Sequence, residues 1–166
     1  MGALHSYIVD VKWTGAGQTG TTSYNAYSRD HEVVIPDRPV LLGSSDPAFR
    51  GNPARHNPEQ LLVATVSQGH MLWFLRMAAR DGVVVVGYAD EAVGTMRIES
   101  AGGGQFIEVV LHPRVTIRIP APGTPGEPVT DAVLLAMHER ANEHNFIARS
   151  INFPVRIEPA PVTTER

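Results

Sequence analysis

The chain has 166 residues, a net charge of −3 at neutral pH and no cysteine. That length suits a single domain, 1–166, able to bury a core without a disulfide or metal staple, and the missing cysteines exclude disulfides, thiolate metal sites and catalysis by a thiolate. Lysines and arginines are scattered, which argues against a nucleic-acid or anionic-lipid partner, and Gln68, His70 and Arg76 interrupt the most apolar segment before it reaches the roughly 18 residues that a membrane span needs.

The opening Met1–Trp13 lacks the basic flank, apolar run and small-residue cleavage site of a secretory signal, so the cytoplasm is the default location. Met1–Ser6 matches a myristoylation pattern, with no second membrane signal behind it. Residues 5–13 alternate as a strand does, and Thr21–Tyr27 is rich in Thr and Tyr, with Gly15, Gly17 and Gly20 between them. This pattern predicts a hairpin. Glu32–Ile35 predicts a third strand, ended by Pro36, and the next twenty or so residues carry Pro39, Gly43, Pro47, Gly51 and Pro53 without periodicity. So long a loop in a compact domain is uncommon and is often functional.

Asn57-Pro58-Glu59 opens a helix. Asn caps it, Pro occupies the first turn where its missing N–H costs nothing, and Glu meets the positive end of the dipole. The helix should run to about Arg80 with Gly82 as its stop, and it is apolar on nearly every side, which predicts a central, enclosed helix. Val83–Tyr88 and Ala92–Glu99 read as strands, Ala101–Gly104 as a turn, and Gln105–Leu111 with Val115–Ile119 as a strand bent at Pro113. After a Pro-rich loop at 120–128, Thr130 caps a second helix that runs to about His144, and Ser150–Ile157 closes as a strand. The order βββ, α, ββ, α, β indicates an α+β protein.

Three segments resemble the OsmC/Ohr family of thiol peroxidases: Asn57-Pro58-Glu59-Gln60-Leu61-Leu62, Ser67-Gln68-Gly69-His70-Met71-Leu72, and Ala141-Asn142-Glu143-His144-Asn145-Phe146-Ile147-Ala148-Arg149-Ser150. The loop Gly43–Gly51 is similar to that of an OsmC-like branch. The resemblance implies a fold of antiparallel sheets with two helices in an intertwined homodimer. It also implies a peroxidatic cysteine in the central helix, a resolving cysteine after the second helix, and an Arg and a Glu that keep the thiolate active.

Those cysteine positions fall on Gly69 and Asn145. Neither residue can replace a thiolate, because glycine has no side chain and an amide is neither nucleophilic nor redox-active. Glycine within a helix costs about 1 kcal/mol relative to alanine, so Gly69 marks close packing, space for a ligand, or drift. Glu59 matches the family carboxylate. At about 1.5 Å per residue it stands roughly 15 Å along the axis from Gly69, so a carboxylate serving that pocket should come from a partner chain. For the arginine, Arg50 is the first choice, Arg29 the second and Arg55 the third.

Other signals are weaker. His138-Glu139-Arg140-Ala141-Asn142 lacks the second ligand of a zinc hydrolase pattern, and His138 and His144 read as surface or helix-end residues; no metal or cofactor is implied. His70 and Asn142 remain pocket candidates with Glu59, Arg50 and Arg29. Ser67 lacks a nucleophile elbow, Gly102–Gly104 sits in a hairpin turn, and Trp73, Phe74 and Met77 read as core or dimer packing. The preferred reading is a non-catalytic homodimer whose pocket holds a small hydrophobic ligand. Alternatives are an enzyme of different chemistry using His70, Glu59 and an Arg, or a peroxidase whose cysteines were mutated out.

Overall fold

The computed structural model describes residues 2–119 and 129–165. Its first strand, β1 (Asp10–Trp13), pairs antiparallel with β2 (His31–Val34), not with a segment at 21–27. Thr21–Tyr27 contains no strand; Gly20–Thr22 is a single 3-10 turn. The aromatic residues there wrap a cation instead. Arg29 donates to the carbonyls of Tyr24 and Tyr27 and stands 4.3 and 4.2 Å from the centres of their rings, which holds the segment as a loop. The expected long loop is also partly ordered: β3 (Leu41–Gly43) joins the other edge of β2, and a 3-10 turn at Pro47–Phe49 is capped by Asp46, which accepts a hydrogen bond from the Ala48 N–H at 2.8 Å.

Cross-strand register places Val11, Trp13, His31, Val33 and Leu41 on one face of this sheet, with Asp10, Lys12, Glu32 and Leu42 on the other. Among its described residues the unit Met1–Leu62 nevertheless has no core of its own. Its buried residues are Gly15, Gly43, Ser44 and Asn57, and Val11 is 66% exposed.

Helix α1 (Pro58–Arg80) starts where its capping chemistry predicts. Asn57 Oδ1 accepts from the Gln60 N–H at 2.8 Å, and beyond the helix end Gly82 adopts a φ of 76°, a left-handed conformation that glycine takes without a Cβ penalty. The helix is not enclosed within one chain. It buries a single stripe, Val66, His70, Phe74, Met77 and Ala78, while Leu72 remains 61% exposed. Three- and four-residue spacing puts the stripe on one side, and the chain supplies a complete cover for that side alone.

In the unit Val63–Arg166, β5 (Val93–Ile98) and β6 (Gly104–Leu111) form an antiparallel hairpin, and β7 (Pro113–Arg118) pairs antiparallel with β4 (Val85–Asp90). Pro113 therefore opens a new strand in a different sheet and does not bend one long strand. Helix α2 (Asp131–His144) begins at Thr130, whose Oγ1 accepts from the Val133 N–H at 3.4 Å; the Pro-rich loop expected at 120–128 lies outside the described residues. The closing strand β8 (Val155–Ile157) is shorter than expected, because Ala148–Ser150 is a 3-10 turn, and runs parallel to β6. A further strand, β9 (Thr163–Glu165), runs parallel to β7.

Two cores result. Phe74, Met77 and Ala78 of α1 pack with Val115, Ile117, Leu134, Met137 and Ala141, while Val66 packs with Val109 and Leu111. The architecture is α+β, as the element order indicates. No helix among the described residues is long and apolar enough to cross a membrane.

Candidate functional site

Gly69 and Asn145, seventy-six positions apart in the sequence, meet face to face. A Cβ at Gly69 would stand 2.6 Å from Asn145 Oδ1 and 3.3 Å from its Cγ. The amide cannot easily retreat. It is 1% exposed, its Nδ2 donates to the Val66 carbonyl at 3.2 Å, and its Oδ1 accepts from the Ile147 N–H at 3.1 Å. Glycine at 69 is thus a requirement of close approach, and Asn145 fastens the end of α2 to the middle of α1.

Beside this contact lies a cavity of about 280 Å³, just below the roughly 300–1,000 Å³ usual for small-molecule sites. Gly69, Leu72, Trp73, Arg76, Asn145, Phe146 and Ile147 line it. Phe146 meets the Trp73 ring edge-on at 5.4 Å, and the Arg76 guanidinium lies 4.9 Å from the centre of that ring. Sequence reasoning missed Arg76 and Phe146. Both belong to or adjoin the segments that carry the family resemblance, but a helical arginine and an aromatic residue give no local sign that they border a cavity.

His70 does not line this cavity. It is fully buried, and its Nε2 shares a 2.9 Å hydrogen bond with Nδ1 of His138. His138 is also fully buried, correcting the expectation of a surface or helix-end residue; its ring stacks on Phe74 at 4.1 Å. The spacing of His138 with Leu134 and Ala141 on α2 was the available signal. Burial lowers both imidazoles, His70 to about 4, with Asp90 opposing the shift, and His138 to about 3, helped by repulsion from His70. The pair is therefore neutral at physiological pH. Ser67 is also engaged, its Oγ donating at 2.5 Å to Asp90, which accepts the His112 N–H through its other oxygen. No histidine is bonded to that hydroxyl, and its acceptor carboxylate is shared with a backbone N–H. Among the described residues no three His, Asp or Glu side chains are grouped to hold a metal.

An OsmC-like protein from Vibrio cholerae has 30% identity to this chain and superposes with a TM-score of 0.80, covering 95% of this chain and 100% of that one. The chain belongs to the OsmC-like family. An organic hydroperoxide resistance protein OsmC from Legionella pneumophila (15% identity, 98% of this chain and 99% of that one, TM-score 0.68) and an organic hydroperoxide resistance protein from Elizabethkingia anophelis (16%, 99% and 100%, 0.68) share the fold. No protein-family model matches the sequence, and no curated protein matches it.

Glu59 holds its Oε2 buried with no hydrogen-bond partner among the described residues. Arg29 is committed to the Tyr24 and Tyr27 loop, and Arg55 to Asp30 at 3.3 Å and the His31 carbonyl. Arg50 is exposed, in a left-handed conformation with φ 64°, its guanidinium 5.8 Å from the Tyr24 ring. Asn142 reaches the Val155 carbonyl at 3.5 Å, while its Oδ1 is buried without a partner among the described residues. Arg29, Arg50, Arg55 and Glu59 belong to the Met1–Leu62 unit, whereas Gly69, His70, Asn142 and Asn145 belong to Val63–Arg166.

Two measurements check this site. Gly69→Ala should destabilise the fold by about 2 kcal/mol despite its better helix propensity, since overpacking outweighs a gain of about 1 kcal/mol. Combining it with Asn145→Ala should restore part of that loss, with a coupling of about 1 kcal/mol in a denaturation cycle; strictly additive losses would refute the contact. The second concerns pH. Because the folded imidazoles bind protons more weakly than unfolded ones, stability is complete above pH 6.5 and declines as pH falls toward 4. One imidazole accounts for about 2 kcal/mol between pH 6.5 and 5. Urea unfolding should show that slope, and His138→Leu should flatten it; an equal slope in the variant would show that other groups cause it.

Proposed function

We propose that this OsmC-like chain is a homodimeric binding protein without thiol peroxidase activity, whose cavity beside Gly69 and Asn145 takes a small hydrophobic ligand. The observation that carries the reading is the contact between these residues. The positions that correspond to the family's two cysteines adjoin one another at an apolar cavity, which suits a site whose sulfurs have been replaced in place. Peroxide reduction needs a thiolate to attack the O–O bond, giving a sulfenic acid and an alcohol, and a second thiol to condense with that acid and release water. An amide facing a glycine can do neither.

A second copy of the chain is supported by three features: the Met1–Leu62 unit has no core of its own, α1 leaves Leu72 uncovered, and Glu59 has a buried oxygen in want of a donor. A cytoplasmic setting fits the reading, with no nucleic-acid or membrane partner.

Gly69→Cys combined with Asn145→Cys should consume organic hydroperoxide in the presence of a dithiol, while the unaltered chain should not. An inert double variant that still folds would remove the equation of these positions with the family's cysteines, and turnover by the unaltered chain would end the non-peroxidase reading. Native mass spectrometry of the protein from its own cells should find a dimer with a small molecule retained. Dimers that remain empty across preparations would count against the binding role, and a monomer at micromolar concentration against the dimer.

A further inference from the structure

Of the residues lining the cavity at Gly69, nearly all offer carbon. Leu72, Trp73, Phe146 and Ile147 are apolar, and Gly69 has no side chain. Asn145 is polar, but both ends of its amide are already bonded, Nδ2 to the Val66 carbonyl and Oδ1 to the Ile147 N–H. Arg76 is what remains. It is exposed at the cavity's edge, its guanidinium 4.9 Å from the centre of the Trp73 ring, and no carboxylate of the same chain lies within ion-pairing distance of it among the described residues. The other arginine on this helix, Arg80, pairs with Asp81.

An apolar cavity with one unpaired cation at its edge discriminates between ligands in a definite way. The carbon walls accept an alkyl or aromatic body without preference, and the cation rewards a negative end. Guanidinium also suits a planar carboxylate, which it can meet with two parallel N–H···O bonds, and its own ring contact pre-orients it at low entropic cost. A ligand with a neutral hydroxyl would gain less from the cation, because it carries no charge to meet it.

We propose that the ligand of this site is an amphipathic carboxylate, its apolar body against Leu72, Trp73, Phe146 and Ile147 and its carboxylate on Arg76. This rests on the proposal above that the cavity binds a hydrophobic molecule, and adds the headgroup that Arg76 selects.

The test compares octanoate with 1-octanol on the full chain, following the Trp73 indole N–H by NMR titration. Octanoate should bind about tenfold more tightly than octanol, the difference expected of a charge-assisted pair. Arg76→Gln should remove that difference by weakening octanoate and leaving octanol as it was. Equal affinities in the unaltered chain, or octanoate binding unmoved by Arg76→Gln, would overturn the headgroup assignment while the hydrophobic site itself stands. If neither compound shifts Trp73, the assignment and the binding reading fail together. Leu72→Asn, in a wall of the cavity, should weaken both compounds; if it weakens neither, the body of the ligand does not lie where it is placed here.

Discussion

The buried stripe of α1 sets the position of everything in the Val63–Arg166 unit. Val66, His70, Phe74, Met77 and Ala78 face inward at three- and four-residue intervals, so Phe74 and Met77 anchor one core while Val66 anchors the other. The same phase turns Trp73 and Arg76 toward the cavity at Gly69. A shift of the helix by one residue would rotate it by about 100° and carry the glycine away from Asn145. The polar interior follows from this phase too. His70 lies within the stripe, and a buried imidazole needs a partner that will not add charge. His138 provides one, and Phe74 packs flat against it.

Helix boundaries were legible because they rest on local chemistry. Asn57, Pro58 and Gly82 mark the limits of α1, and Thr130 the start of α2, each through an interaction a few residues away. Strand pairing was less legible, because it depends on segments far apart. Tyr24 and Tyr27 have strong strand propensity, yet Arg29 binds both, and β1 pairs with β2 instead. Pro113 reads locally as a bend, and only the partnership of β7 with β4 shows that the chain has changed sheets. β9 was missed because three polar residues carry no alternating apolar signal.

The site divides in the same manner. Gly69 and Asn145 stood out because the family resemblance implies sulfur at both positions, but the resemblance does not reveal that the two residues present fit each other. Physical contact does: the amide fills the space that a side chain at 69 would need. His138 was misread for the converse reason. Its neighbours in sequence, Glu139 and Arg140, are polar, and a histidine among them reads as exposed until the helix is docked. Arg76 bore no mark at all, since an arginine on a helix is ordinarily a solvated residue.

The fit between glycine and amide also bears on how such a chain could change over generations. A side chain at 69 alone would be driven into a bonded amide, and loss of the amide at 145 alone would leave the Val66 carbonyl and the Ile147 N–H without their present partner. Either change alone loses a contact that the present pair supplies, so the tolerance of one position is set by the residue at the other. The two positions are therefore yoked: change at one is confined by the residue that faces it, and the pair can move freely only when both move together.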